Sequence, residues 1–411
     1  MKLTSTLGLT VFTMGLVGLA VTQADATIVV PTDQPTIQAA INAAVPGEDI
    51  IVLAGNYPEG QIDVTTPVQI YGPNFSVNPP TARNPEAHVT GGFVISVSNV
   101  TIQGLEIEGG AGSPSRCISG LQALSNINVS YNWLHSPTGT FSTAIDLGDY
   151  GGARSQNIEV DANTIDNQIP GSSQGITIQA ADNVTVVGNS ITLATSLVSG
   201  SEYGFPCVVF DGVHGGLIGK NTLDAGLTST NIYPGGSIYS VGVQATVDDI
   251  IDVQITHNQM VNCAAGVLSS SGQFGVYNVS VVKNVIDSFF VGIFLQGFNI
   301  AGPIPFSHSG FSINQNDITA ATACVYVRGG SSWPIADVIL RKNCLLAKTG
   351  STGVWGVLVA PGAIISTHGN SIDARLNYWD AASGPSGTGP GTGVKASTRV
   401  DFAKWLRDCP H

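Results

Sequence analysis

Charge is scarce in this sequence. Only 10% of its 411 residues are Asp, Glu, Lys or Arg, and the balance is acidic, with 28 Asp plus Glu against 15 Lys plus Arg and a formal net charge of −13. No basic stretch stands out, which excludes nucleic acid as a partner. An acidic polysaccharide would need a bridging cation or a local basic site. Long apolar runs are also missing. Beyond the N-terminus no stretch approaches the roughly 18 apolar residues of a membrane span. Strong helix formers such as Glu and Lys are few, which weighs against a helical architecture. Of 3 Met, Met1 and Met14 lie in the N-terminal segment, so there is no thioether cluster for copper. The 7 His are scattered without zinc-site spacing, so no metal centre is expected.

What is present begins with an export signal. Lys2 precedes an apolar run from Leu7 to Ala20, and Ala24 and Ala26 in "TQADA" supply the small residues of a cleavage site. Residues 1–26 are therefore expected to be a signal peptide, with the mature, secreted or periplasmic/cell-surface protein starting near Thr27. The remainder is rich in Val, Ile, Thr, Ser, Asn and Gly, with 50 Gly in all. That is strand-and-turn composition. An oxidising compartment permits disulfides among the 6 Cys. Cys117, Cys207 and Cys324 fall where other copies of a repeat carry Ala or Gly, so they read as small buried residues. If one bridge forms, Cys344–Cys409 is the expected pair.

One phrase recurs: "NIEVDANTI" from Asn157, "NVTVVGNSI" from Asn183, "DVQITHNQM" from Asp252, "NVSVVKNVI" from Asn278 and "DVILRKNCL" from Asp337. Its second Asn falls at Asn132, Asn163, Asn189, Asn221, Asn258, Asn284, Asn316, Asn343 and Asn370, spaced 26 to 37 residues apart. Such a period marks a solenoid whose units bury their faces only against their neighbours. Apolar positions alternate with period two inside each unit, so the pieces are strands. A second strand follows in most units, such as "GITIQ" from Gly175, "CVVFD" from Cys207 and "CVYVR" from Cys324. Short strands with no helix between them must stack in parallel, about 4.8 Å apart. The predicted class is all-β, a right-handed parallel β-helix of about ten coils with an N-terminal capping helix. The recurrent Asn is then a rung, its amide bonding to the Asn above and below at an inward turn.

These residues resemble the right-handed parallel β-helix superfamily with the pectin-lyase-like fold. The opening segment "PTIQAAINAAVPGEDIIVLAGNY" (35–57) is similar to the helix-then-strand start found there, with Ile37, Ala40, Ile41 and Ala44 on one apolar helical face. The closing "NYWDAASGPSG" (377–387) and "VDFAKWL" (400–406) resemble the ending of secreted bacterial β-helix repeat proteins. The expected organisation is a signal peptide (1–26), a β-helix with its cap (27–376) and a C-terminal tail or cap (377–411). The superfamily hosts lyases, hydrolases, epimerases and non-catalytic proteins, so the likeness implies a fold more than an activity.

Aligning the second strands gives an inward column Ile145, Ile176, Val208, Val243, Val267, Ile293, Val325, Val357. The outward columns read Asp146, Thr177, Val209, Gln244, Leu268, Phe294, Tyr326, Leu358 and Gly148, Gln179, Asp211, Thr246, Ser270, Gln296, Arg328, Ala360. The N-terminal half of this face is polar and the C-terminal half carries an apolar stripe. Because soluble proteins avoid bare apolar patches, the segment from Asn377 onward, through Trp379, Trp405 and Leu406, or a nearby loop, is expected to cover part of that stripe. The longest insertions, 196–206 and 226–239, flank Asp211 and bring Glu202, Tyr203 and Tyr233. Aromatic rings beside carboxylates and amides suit a sugar.

The candidate catalytic residues are therefore Asp211, Asp146 and Glu202, and the candidate substrate-binding residues Gln179, Gln244, Tyr203 and Tyr233. The plainer reading is a solvated sheet with self-packed loops. Asp146 and Asp211 should lie about 11 Å apart at Cα, wider than the roughly 6.5–9.5 Å of inverting glycosidases before side-chain reach is counted. "DGVHGG" (211–216) resembles the Gly-His-Gly element of polygalacturonases, but their paired aspartates and Arg-x-Lys partner have no counterpart here. No cofactor is expected. "TVDDIID" (246–252) is the one place where Ca²⁺ could bind, against its simpler reading as a solvated turn. The expected function is a secreted monomer that binds, and in the stronger version cleaves by lyase or hydrolase chemistry, an extracellular polysaccharide. The alternative is a non-catalytic envelope or surface protein serving structure or adhesion.

Overall fold

The computed structural model describes residues 27–77, 83–109, 116–135, 143–149, 152–167, 174–198, 201–229, 241–246, 249–271, 275–297, 308–329, 335–361, 363 and 371–410. Among them, one seven-residue helix, α1 (Ile37–Ala43), accompanies strands that pair almost entirely in parallel. The chain is a parallel β-helix. Each full coil contributes to three ladders. The front ladder contains the run Ile145, Ile176, Val208, Val243, Val267, Ile293, Val325, Val357, in the register the alternation predicts. The back ladder links Ile102, Val129, Val160, Val186, Ile218, Ile255, Val281, Ile313 and Leu340. The side ladder links Val89, Ile107, Leu134, Ile165, Ile191, Leu223, Met260, Ile286, Ile318 and Leu345. These inward residues form one continuous apolar core.

Left-handed backbone turns make the corners. The first residue of the recurrent phrase sits at φ between 51° and 62° in Asn99, Asn126, Asn157, Asn183, Asp252, Asn278 and Asp337. Asn and Asp tolerate this region better than other non-glycine residues, which explains the first letter of the phrase. Their side chains also bond along the stack, Asn126 to Asn99 at 2.8 Å, Asn157 to Asn126 at 2.9 Å and Asn278 to Asp252 at 3.0 Å. The second corner has a left-handed residue just before each buried Asn, as in Tyr131, Ala162, Lys220 and His257.

That buried Asn column runs Asn132, Asn163, Asn189, Asn221, Asn258, Asn284, Asn316, Asn343 and Asn377, all at most 1% exposed. Each Oδ1 from Asn163 onward accepts both the backbone N–H and the side-chain amide of the preceding member, for example from Asn163 to Asn189 at 2.9 and 3.0 Å. The remaining amide proton goes to a back-ladder carbonyl, Asn189 Nδ2 to Val160 O at 2.9 Å. The last position corrects the sequence reading. Asn370 lies outside the described residues, and Asn343 bonds to Asn377 Oδ1 at 2.8 Å.

Small residues mark the bend into the front ladder for a steric reason. A Cβ on Gly266 would lie 2.4 Å from Ile286 Cγ2, and one on Gly292 would lie 2.2 Å from Ile318 Cγ2. Cys117, Cys207 and Cys324 occupy the same column, buried and unbridged, as does Ala144. Burial pushes the Cys117 thiol up to about 12 and raises that of Cys207 as well. Cys344 and Cys409 form a disulfide.

Helix α1 packs against strands Thr27–Val30, Glu48–Val52 and Gly55–Val64 and buries Ile37, Ala40 and Ile41. Thr36 Oγ1 caps Ala39 N at 3.0 Å, and the Glu59 carboxylate accepts from Ile37 N and Gln38 N. Those bonds satisfy first-turn donors that have no helical partner.

Candidate functional site

The outward columns of the front ladder stand as the alternation places them. Asp146 pairs in register with Thr177, Thr177 with Val209, and Val209 with Gln244. Two residues further along, Gln179 pairs with Asp211 and Asp211 with Thr246. The structure thus gathers Asp146, Thr177, Gln179, Asp211 and Gln244 on one surface spanning four coils. Asp146 and Asp211 are two coils and two residues apart, a Cα separation of about 11 Å by strand geometry.

This surface is not an open, solvated sheet. Asp146 is 4% exposed and Asp211 8%, with Thr177 also buried and Gln179 and Gln244 half-buried. Burial raises the Asp146 pKa, against the opposing pull of Arg116. Arg116 Nε lies 2.7 Å from Asp146 Oδ2, while Asp146 Oδ1 is buried without a hydrogen-bond partner. Arg116 begins the strand Arg116–Gly120, one coil earlier. The sequence reading missed it because the alignment started at Ala144. The arrangement provides a carboxyl whose pKa burial raises, one oxygen bound to Arg116 and the other buried without a hydrogen-bond partner.

The loop residues divide differently. Glu202 and Tyr203 lie on the strand Ser201–Tyr203, which pairs antiparallel with Ser196–Val198 in the register Leu197–Glu202 and Ser196–Tyr203. Their side chains, and the whole of Tyr233, lie outside the described residues. Just past Asp211, Arg154 donates to the Gly212 carbonyl at 2.8 Å and to Asp182 at 2.8 Å, and His214 Nδ1 is 3.4 Å from Asp182. In "TVDDIID", Asp249 accepts from Gly275 N at 2.7 Å and Asp252 from Asn278 at 3.0 Å. Both aspartates thus serve turns.

The apolar stripe is packed rather than bare. Leu268 and Phe294 are buried in a cluster with Val241, Ala265 and Val291, and the rings of Phe294 and Tyr326 stack at 4.9 Å. Trp379 and Trp405 do not cover it. Trp379 is fully buried in the inner core and Trp405 packs against that core. The tail instead adds the strand Gly393–Ala396 to the front ladder beyond Trp355–Val359. The back face carries a cavity of about 400 Å³ lined by Gln69, Asn99, Asn126, Asn128, Asn157 and Glu159. Its polar groups largely bond one another, as Asn128 does to Glu159 at 2.8 Å, so it reads as a turn surface.

Among solved structures, the chain is similar to the endo-xylogalacturonan hydrolase from Aspergillus tubingensis, with a TM-score of 0.56, 12% identity, and coverage of 84% of this chain and 99% of that one. It is also similar to the Dettilon tailspike protein, with a TM-score of 0.52, 13% identity, and coverage of 82% and 68%. The fold is pectin-lyase-like. At such identities the likeness concerns the fold alone. No family model matches the sequence, and no curated protein does. No helix among the described residues is long and apolar enough to cross a membrane.

Proposed function

We propose that this chain is an exported protein that binds an extracellular polysaccharide along the N-terminal half of its front ladder. In the enzymatic form of the proposal Asp146 acts as a proton donor and Asp211 as its partner carboxylate. The observation that carries the reading is Asp146 itself, buried on the outer surface, with one oxygen free of any protein partner and Thr177, Gln179 and Asp211 alongside. A purely solvated face gives no reason for such a residue, because an unmet buried acceptor costs stability. The fold adds support, since two of the similar structures are an endo-xylogalacturonan hydrolase and a tailspike protein by name. The disulfide Cys344–Cys409 fits an oxidising compartment and hence removal of residues 1–26 on export. The same proposal includes about ten right-handed coils, with α1 closing the first of them.

The test is a panel of neutral and acidic polysaccharides presented to the pure protein. Retention in affinity electrophoresis reports binding, and new reducing or unsaturated ends report hydrolysis or elimination. Retention without new ends would reduce the proposal to binding. Neither retention nor new ends across the panel would sink it and favour a structural or adhesive envelope protein.

A further inference from the structure

The outer surface of the side ladder, near the N-terminal end, carries a second set of chemistry-bearing residues. The register puts His88, Glu106, Trp133 and Thr164 in one column. It puts Thr90, Glu108, His135 and Asp166 in the next. Three successive coils thus deliver two imidazoles and two glutamates to one spot. His135 Nε2 lies 2.9 Å from Glu106 Oε1, and His88 Nε2 lies 3.2 Å from Glu108 Oε2. The two imidazoles are near-parallel at 6.1 Å, and the Trp133 ring packs on His135 at 4.8 Å, fixing its orientation. One ligand atom from each of His88, Glu106 and His135 falls within 4.8 Å of the other two.

Two ordinary His–carboxylate pairs would account for part of this but leave two things over. Among the described residues, no Lys or Arg pairs with Glu106, Glu108 or Asp166. Asp166, next to His135 in register, has its Oδ1 buried without a hydrogen-bond partner. Three carboxylates and two imidazoles with no cation among them form a set that a metal ion would complete. We propose that His88, Glu106 and His135 bind a divalent transition metal, zinc foremost, with Glu108 closing the fourth position. Two imidazole nitrogens and a carboxylate suit zinc and its neighbours, whereas calcium and magnesium favour all-oxygen sets. Tetrahedral ligands about 2.0–2.2 Å from zinc sit roughly 3.3–3.6 Å from one another, so rotamer-scale contraction closes the site. The ion would staple three coils, and a ligand that binds only the folded state raises its stability by mass action.

The chelator-stripped, full-length protein is dialysed against ZnCl₂, with CaCl₂ in parallel, and melted with and without each ion. The expected result is about one zinc per chain, a higher Tm with zinc and no shift with calcium. Substituting both His88→Ala and His135→Ala should weaken zinc binding more than tenfold and abolish the Tm shift, and Glu106→Gln should weaken it by itself. These side chains are partly exposed, and circular dichroism confirms that each variant is folded. A folded wild type that takes up no zinc overturns the proposal. So does zinc binding equal in the double variant, or calcium binding of equal strength.

Discussion

The side-chain amide of Asn189 donates to Oδ1 of Asn221 at 3.0 Å, and the backbone N–H of Asn189 donates to the same oxygen at 2.8 Å. One acceptor therefore satisfies two buried donors of the coil before it. The pattern extends to Asn377, whose amide ends the run on the carbonyls of Leu340 and Ala374. It holds a corner that water does not reach, where an unmet group would be costly.

Asn189→Ala and Asn284→Ala should each destabilise the protein by about 1–3 kcal/mol. Each removes the acceptor for two donors of the preceding Asn and leaves carbonyls such as Val160 O and Ile255 O short of a partner. Asn189→Asp should cost at least as much, because it keeps the acceptor but places a carboxylate against the Val160 carbonyl. Urea unfolding followed by circular dichroism checks all three. A loss below about 0.5 kcal/mol in every variant would mean the column is not a stabilising feature.

The four buried thiols, Cys117, Cys207, Cys263 and Cys324, should resist alkylation in the native protein. Burial pushes the thiols of Cys117 and Cys263 up to about 12, so the reactive thiolate is absent at neutral pH. Mass spectrometry should find no labels on the folded chain. It should find 4 after unfolding without reductant, since the 6 Cys include the Cys344–Cys409 pair. Two further labels without reductant would show that the bridge does not form. Cys409→Ser should destabilise the last coils, by up to about 2–5 kcal/mol if they unfold with the rest of the chain.

Stability should also fall in mild acid through His308. It is 1% exposed, in register between Val276 and Ile335, and burial lowers its pKa from 6.5 to about 4. The unfolded chain therefore takes up the proton first as pH drops. The stability this residue protects is fully present above about pH 6.5 and is lost as pH falls toward 4, to the extent of about 3 kcal/mol. His308→Leu should flatten the decline of the urea midpoint across that window. An unchanged slope would show that His308 does not titrate there.

The strand columns were legible in the sequence because period-two alternation and a recurrent small residue fix the register independently. Asn370 and Asn377 show the limit of pattern alone. "NSI" fits the template as well as any other copy, and only the spatial length of the coil selects Asn377. Partnerships across coils were less legible. Arg116 is 30 residues from Asp146 in sequence. His88, Glu106 and His135 converge only through stacking, with no local spacing to reveal them. Aligning the strands of the side ladder, as was done for the front one, would have placed both histidines beside the same two glutamates.

The last prediction concerns the front-ladder site. Asp146→Asn keeps the shape of the side chain but removes the titrating carboxyl, and it replaces the oxygen pair that Arg116 binds with an amide. If Asp146 is the proton donor, turnover should fall about 10²–10⁴-fold while polysaccharide retention stays measurable. The wild-type rate should then decline as pH rises through the pKa of Asp146, because the ionised form cannot donate. Asp211→Asn should give a loss of similar size if it is the partner carboxylate. Under binding alone, both substitutions change retention modestly and no turnover exists to lose. The tyrosines give an independent control. Tyr203→Ala with Tyr233→Ala removes stacking surface from the loops that flank Asp211 in sequence, and should weaken retention without lowering the urea midpoint. Full retention by that double variant, together with unaltered behaviour of Asp146→Asn, would place the polysaccharide on another face of the helix.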